Sequence, residues 1–108
     1  MPYIKPEDRE QYDVLIDALL NLIMEKTSNN GKSSLEDMTN AIKGHHNYIM
    51  FVLAVRMSNK LGIRYHTLQD IVGTFECCKA EFLRRVVDPY EDQAIAKNGD
   101  IDDLVRNK

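Results

Sequence analysis

Between Glu81 and Asp100 the chain reads EFLRRVVDPYEDQAIAKNGD, and this stretch holds the side chains best suited to gripping a ligand. Arg84 and Arg85 each present a planar fork of N–H donors that matches two phosphate oxygens. Tyr90 offers a ring to stack on a planar molecule, while Glu91 and Asp92 accept hydrogen bonds from hydroxyl or amino groups. Together they would suit a small anionic, nucleotide-like ligand. The arginines and the tyrosine also have plainer explanations, whereas a turn needs neither of the two carboxylates. The arginines fall near the end of an amphipathic segment, where positive charge offsets a helix dipole, and Glu81 stands three and four residues before them, the spacing of helical ion pairs. Tyr90 could equally plug the end of a core.

Two lesser candidates lie in the run Asn47-Tyr48-Ile49-Met50-Phe51-Val52-Leu53-Ala54-Val55-Arg56-Met57. Burying an unpaired Arg56 would cost on the order of a few kcal/mol, so it needs a carboxylate such as Glu76 or Glu81, or an exit to solvent. Its functional reading is an anion site, and Asn47 is the other lesser candidate.

Catalytic and metal chemistry find less footing. His45 and His46 are adjacent, so on a helix they cannot both face one ion, and no thiol or carboxylate completes a ligand set with them or with His66. Cys77 and Cys78 diverge by about 100° on a helix, which prevents their pairing and marks them as reduced thiols. No third group orients either of them with His66 as a nucleophile and base. Glu7/Glu10, Asp13/Asp17 and Asp88/Glu91 are the carboxylate pairs a magnesium-dependent nucleotide hydrolase would need, yet they sit where solubilising charge ordinarily sits. No catalytic residue, metal site or cofactor is assigned.

The elements that must position these residues read as helices throughout. Pro6 suits a first helical position, Glu7, Asp8 and Glu10 favour the positive end of a helix dipole, and Tyr12, Leu15, Ile16, Leu19, Leu20, Ile23 and Met24 keep helical spacing. A polar run through residues 27–33 reads as a mobile loop. Ser33 or Ser34 can cap a short second helix, ended or bent at Gly44, before the run from Asn47 that is apolar on nearly every face and stops at Gly62. Thr67 is a natural N-cap for a long helix with the stripe Leu68, Ile71, Val72, Phe75, Cys78, Phe82 and Val86. Gly73 and Cys77 form a small-residue strip on it. Pro89 predicts its end at Val87 or Asp88, followed by a last short helix capped by Asn98-Gly99 and a frayed tail over 101–108.

Length bounds the chain to one domain, residues 1–108, with no internal repeat. A net charge of −3 and a pI near 5.5 argue against a dedicated nucleic-acid binder, which needs a basic surface. No apolar run reaches the ~18 residues that span a bilayer, and no apolar leader follows Met1, so a cytoplasmic location is expected.

Several of these stretches resemble a family of short uncharacterised proteins of tailed bacteriophages and some bacteria. The likeness rests on Met1-Pro2-Tyr3-Ile4, on Gly44 with Asn47-Tyr48, on Glu76-Cys77 and Glu81-Phe82, and above all on Arg84-Arg85-Val86 through Pro89-Tyr90-Glu91-Asp92 to Asn98-Gly99-Asp100. His46 departs from it, standing where an aliphatic residue is usual, and so does the continuation past Asp100. The resemblance implies phage association, and by analogy of lifestyle a regulator, host-takeover factor or inhibitor of host defence. The combined expectation is an all-α protein, a small antiparallel bundle of three to four main helices completed by homo-oligomerisation. It would bind an anionic nucleotide-like ligand or a host protein without catalysis. The alternatives are a metal-dependent nucleotide hydrolase and a purely structural dimerising module.

Overall fold

The computed structural model describes residues 3–28 and 34–101, and every regular element among them is helical. Most of the expected loop at 27–33 and the tail from 102 onward lie outside the described residues. The chain forms two compact units, residues 1–64 and 65–108.

In the first unit, helix α1 spans Pro6–Thr27 and begins as expected, with Pro6 in the first turn beside Glu7 and Asp8. Lys5 is extended at φ −67° and ψ 150°, and its carbonyl accepts from the Asp8 N–H at 2.9 Å, which closes the first turn. At the other end the Ser28 N–H reaches the Met24 carbonyl at 3.0 Å. The Thr27 hydroxyl is buried and donates to the Ile23 carbonyl at 2.7 Å, so its polar group is satisfied by its own helix.

Helix α2 spans Leu35–Leu61 and contacts α1. Ser34 caps it, accepting the Asp37 N–H on its Oγ at 3.1 Å, and Gly62 ends it at φ +92°, a backbone conformation that a side chain would strain. The expected break at Gly44 does not occur. One glycine costs a helix about 1 kcal/mol against alanine, which a 27-residue helix with a good cap at its start absorbs, so the short and apolar segments fuse into one rod. Five of its half-buried positions, Met38, Ile42, His45, Ile49 and Val52, recur at intervals of four and three and so share one face, while Ala54 lies off it.

In the second unit, helix α3 spans Tyr65–Phe82, a π-helical turn follows over Leu83–Val87, and helix α4 spans Asp88–Asn98. Helix α3 starts two residues before Thr67, which is buried inside its first turn and does not cap it. Neither Tyr65 nor His66 opposes the α region, so the helix extends back past the residue that the capping pattern favoured. The predicted stop before Pro89 is also overturned: Val87 and Asp88 both hold αR backbone, at φ −73° and ψ −49° and at φ −61° and ψ −46°. A helical path thus continues from Tyr65 to Asn98, where Gly99 at φ +87° ends it and donates its N–H to the Ile95 carbonyl at 2.8 Å.

Among the described residues no hydrophobic side chain is buried; the buried ones are Thr27, Ser58 and Thr67. Burial of apolar area is the main favourable contribution to folding, so these helices lack what normally holds a domain together. No described helix is long and apolar enough to cross a membrane.

Candidate functional site

The residues singled out in the sequence fall into both units. Asn47 and Arg56 belong to α2, while Arg84, Arg85, Tyr90, Glu91 and Asp92 belong to the π turn and α4. Each group is therefore described within its own unit.

The π turn exists because the helix has to pass Pro89. Proline has no N–H, and its ring collides with the carbonyl four residues back, here that of Arg85, in a regular α-helix. Widening the turn by one residue moves that clash: the Asp88 N–H bonds the Leu83 carbonyl five residues back, and Pro89 then falls in the first turn of α4. Asp88 and Glu91 add negative charge to that first turn. The turn Leu83-Arg84-Arg85-Val86-Val87 is thus built largely by a residue outside it, and it carries both arginines. Such turns recur at functional sites because they re-aim side chains that an α-helix would hold elsewhere.

Both guanidinium groups meet one carboxylate. Arg84 Nη2 donates to Glu81 Oε1 at 2.7 Å, and Arg85 Nη1 lies 3.6 Å from Glu81 Oε2. The arginine side chains remain 68% and 62% exposed, against 35% for Glu81, so solvent can reach the donors not turned to the carboxylate. These are the ion pairs that the spacing foretold. They lower the net charge of the cluster to about +1, which weakens a phosphate clamp without abolishing it.

Tyr90, Glu91 and Asp92 are exposed and their side chains form no hydrogen bond or ion pair among the described residues. Tyr90, 69% open, plugs no core. The acid that meets the arginines is Glu81, on the N-terminal side, and neither Glu91 nor Asp92. The site is therefore an exposed helical surface in the single chain: two partly neutralised cations, then one aromatic ring and two free carboxylates one to two turns further on.

Arg56 is exposed and forms no ion pair among the described residues, so it takes the exit to solvent that the sequence allowed. Asn47 is likewise exposed. His45 is half-buried on the face that includes Ile42 and Ile49, whereas His46 and His66 are exposed. Cys77 and Cys78 are free, exposed thiols. Among the described residues no three His, Cys, Asp or Glu side chains gather closely enough to hold a metal ion.

The π turn is what residue-by-residue reading missed. The signal for it was Pro89 flanked by residues that all tolerate helix, with acids in the turn after it as at a helix start. That pattern fits a helix which swallows its proline as well as one which stops there.

Residues 1–101 match the family described as Domain of unknown function (DUF6899), which leaves only 102–108 beyond the match. No curated protein and no solved structure matches the chain.

Proposed function

The chain belongs to the DUF6899 family of domains of unknown function, and from that premise we propose that it is a non-catalytic, phage-type helical homo-oligomer that binds a small anionic, nucleotide-like ligand or a host factor, in the service of countering host defence. The observation that carries the binding reading is the π turn over Leu83–Val87, which holds Arg84 and Arg85 side by side and largely exposed just before Tyr90, Glu91 and Asp92, whose side chains are exposed. A host cell cytoplasm fits this role. Oligomerisation is supported by the lack of buried hydrophobic side chains among the described residues: large apolar groups such as Leu15, Phe51 and Phe82 are more than half exposed in one copy, and further copies can cover them. An assembly would also bring several arginine pairs together, and converging guanidinium groups from different copies are what a polyphosphate needs.

The test is to incubate the purified protein with a bacterial nucleotide extract, remove unbound material, denature the protein and identify what is released by mass spectrometry. Release of a phosphorylated compound from the wild type, and its loss with Arg84→Ala plus Arg85→Ala, supports the reading. Recovery of no small molecule transfers the role to a protein partner.

A second reading, a dimerising interaction module without a small ligand, is favoured by one specific observation. Glu81 already engages both arginines, as it would if their task were to steady the helix across the π turn. In that case the double arginine variant keeps its partner, while a bulky Gly73→Leu disrupts assembly.

A further inference from the structure

Gly99 has a double role. It ends α4 at φ +87°, a backbone conformation that residues with side chains rarely adopt, and it stands directly after Asn98. In an asparagine-glycine pair the backbone nitrogen of the glycine can attack the side-chain amide carbon of the asparagine, because no Cβ shields that nitrogen. Space around Gly99 is open as well. Apart from its chain neighbours, nothing lies within 4 Å of where a Cβ would stand. The residue that stops the helix is therefore the one that makes Asn98 reactive.

The same cap restrains the reaction. Attack requires the Gly99 amide to give up its proton and the backbone at Asn98 to turn until the nitrogen faces the side-chain carbon. In the folded helix the Gly99 N–H donates to the Ile95 carbonyl at 2.8 Å, and Asn98 is the last helical residue of α4, so both requirements are held off. Among the described residues of its unit α4 adjoins only the π turn, and no other helix braces its last turn. A helix end of this kind opens locally far more often than the fold as a whole.

We propose that Asn98 is a site of spontaneous covalent modification whose rate is set by the opening of the α4 cap. The Gly99 nitrogen bonds to the side-chain carbon of Asn98, the bond from that carbon to the amide nitrogen breaks, and ammonia leaves with the proton that Gly99 gave up. Water then opens the cyclic imide at either carbonyl and yields aspartate or isoaspartate. No enzyme, oxidant or ligand is consumed, so the change stands apart from the binding reading. Either product sets a new negative charge close to Asp100 and at the negative end of the α4 dipole. Isoaspartate also adds a carbon to the main chain, which puts the Gly99 N–H out of register with the Ile95 carbonyl. Modification thus holds open the cap that restrained it.

The test uses the full wild-type chain, kept for days in mildly alkaline buffer with and without denaturing guanidinium chloride. Trypsin cuts after Lys97 and Arg106, so mass spectrometry of the peptide from Asn98 to Arg106 follows this site separately from the Asn30-Gly31 pair. Hydrogen exchange of the Gly99 amide is measured on the folded protein by nuclear magnetic resonance. The expected result is conversion of Asn98 to the two acids, slower by roughly tenfold or more in the folded chain and accelerated by sub-denaturing guanidinium in step with Gly99 exchange. Equal rates in the folded and unfolded chains would overturn control by the cap. Absence of conversion in the unfolded chain would overturn Asn98 as a site. An Asn98→Asp protein reads the consequence: its Gly99 amide should exchange several-fold faster than in the wild type, and unchanged exchange would overturn the claim that the added charge loosens the cap.

Discussion

The backbone N–H of Asp88 donates to the carbonyl of Leu83, five residues back, and by this bond the helix gains the extra residue it needs to carry Pro89 without ending. Arg84 and Arg85 lie inside the widened turn, so the geometry of the candidate site depends on a proline that touches no ligand.

Replacing Pro89 by alanine restores a donor to the helical ladder and removes the ring that disfavours a regular turn. The expected outcome is a gain in stability of about 1 kcal/mol, below the ~3 kcal/mol of a fully interior proline because the π turn already relieves most of the conflict. Chemical denaturation followed by circular dichroism measures it. A clear loss of stability would mean that the proline rigidifies this turn more than it strains it.

Glu81→Gln keeps the shape of the side chain and removes the negative charge that both arginines share. Because the pairs are largely exposed, stability should change by no more than about 0.5–1 kcal/mol. The informative readout is binding: with the cations released, affinity for a nucleoside triphosphate should rise several-fold by calorimetric titration. An unchanged affinity would argue that the arginines serve the helix alone.

The Ser34 hydroxyl accepts the Asp37 N–H at the start of α2. Ser34→Ala should therefore cost about 1 kcal/mol in urea denaturation, and Ser34→Asp should recover most of it, since an aspartate caps equally well and suits the helix dipole. Equal stability of all three proteins would show that the cap contributes nothing once α2 is covered by its neighbours.

Gly62 closes α2 at φ +92°, where a Cβ is strained whatever the free space. Gly62→Ala is expected to destabilise by at least about 1 kcal/mol. A thermal melt by circular dichroism suffices as the check, and a variant as stable as the wild type would require α2 to end differently in solution.

If the exposed apolar faces are covered by further copies, the midpoint of thermal unfolding should rise with protein concentration, as it does for any fold stabilised by association. A midpoint independent of concentration over two decades, about a hundredfold, would contradict association as the source of stability.

Helical spacing, caps and charge at helix ends act within a few residues, and what depends on them could be read in order along the chain. Pro6 at a helix start, Ser34 as a cap, Gly62 and Gly99 as stops and Glu81 beneath Arg84 and Arg85 all follow from contacts no longer than one turn. The same local preferences misled at Gly44, Thr67 and Pro89, where each permits two outcomes close in energy and the choice falls to the length and continuity of the surrounding helix.

The sequence by itself therefore determined an all-α chain, most of its helix ends and the ion pairs of its candidate site, because those are properties of one helix at a time. Only the three-dimensional structure decided that α2 runs unbroken through Gly44, that a π turn carries Arg84 and Arg85 past Pro89, and that no hydrophobic side chain among the described residues is buried. Burial is a property of what lies across from a side chain, and periodicity fixes which residues share a face without fixing what that face meets.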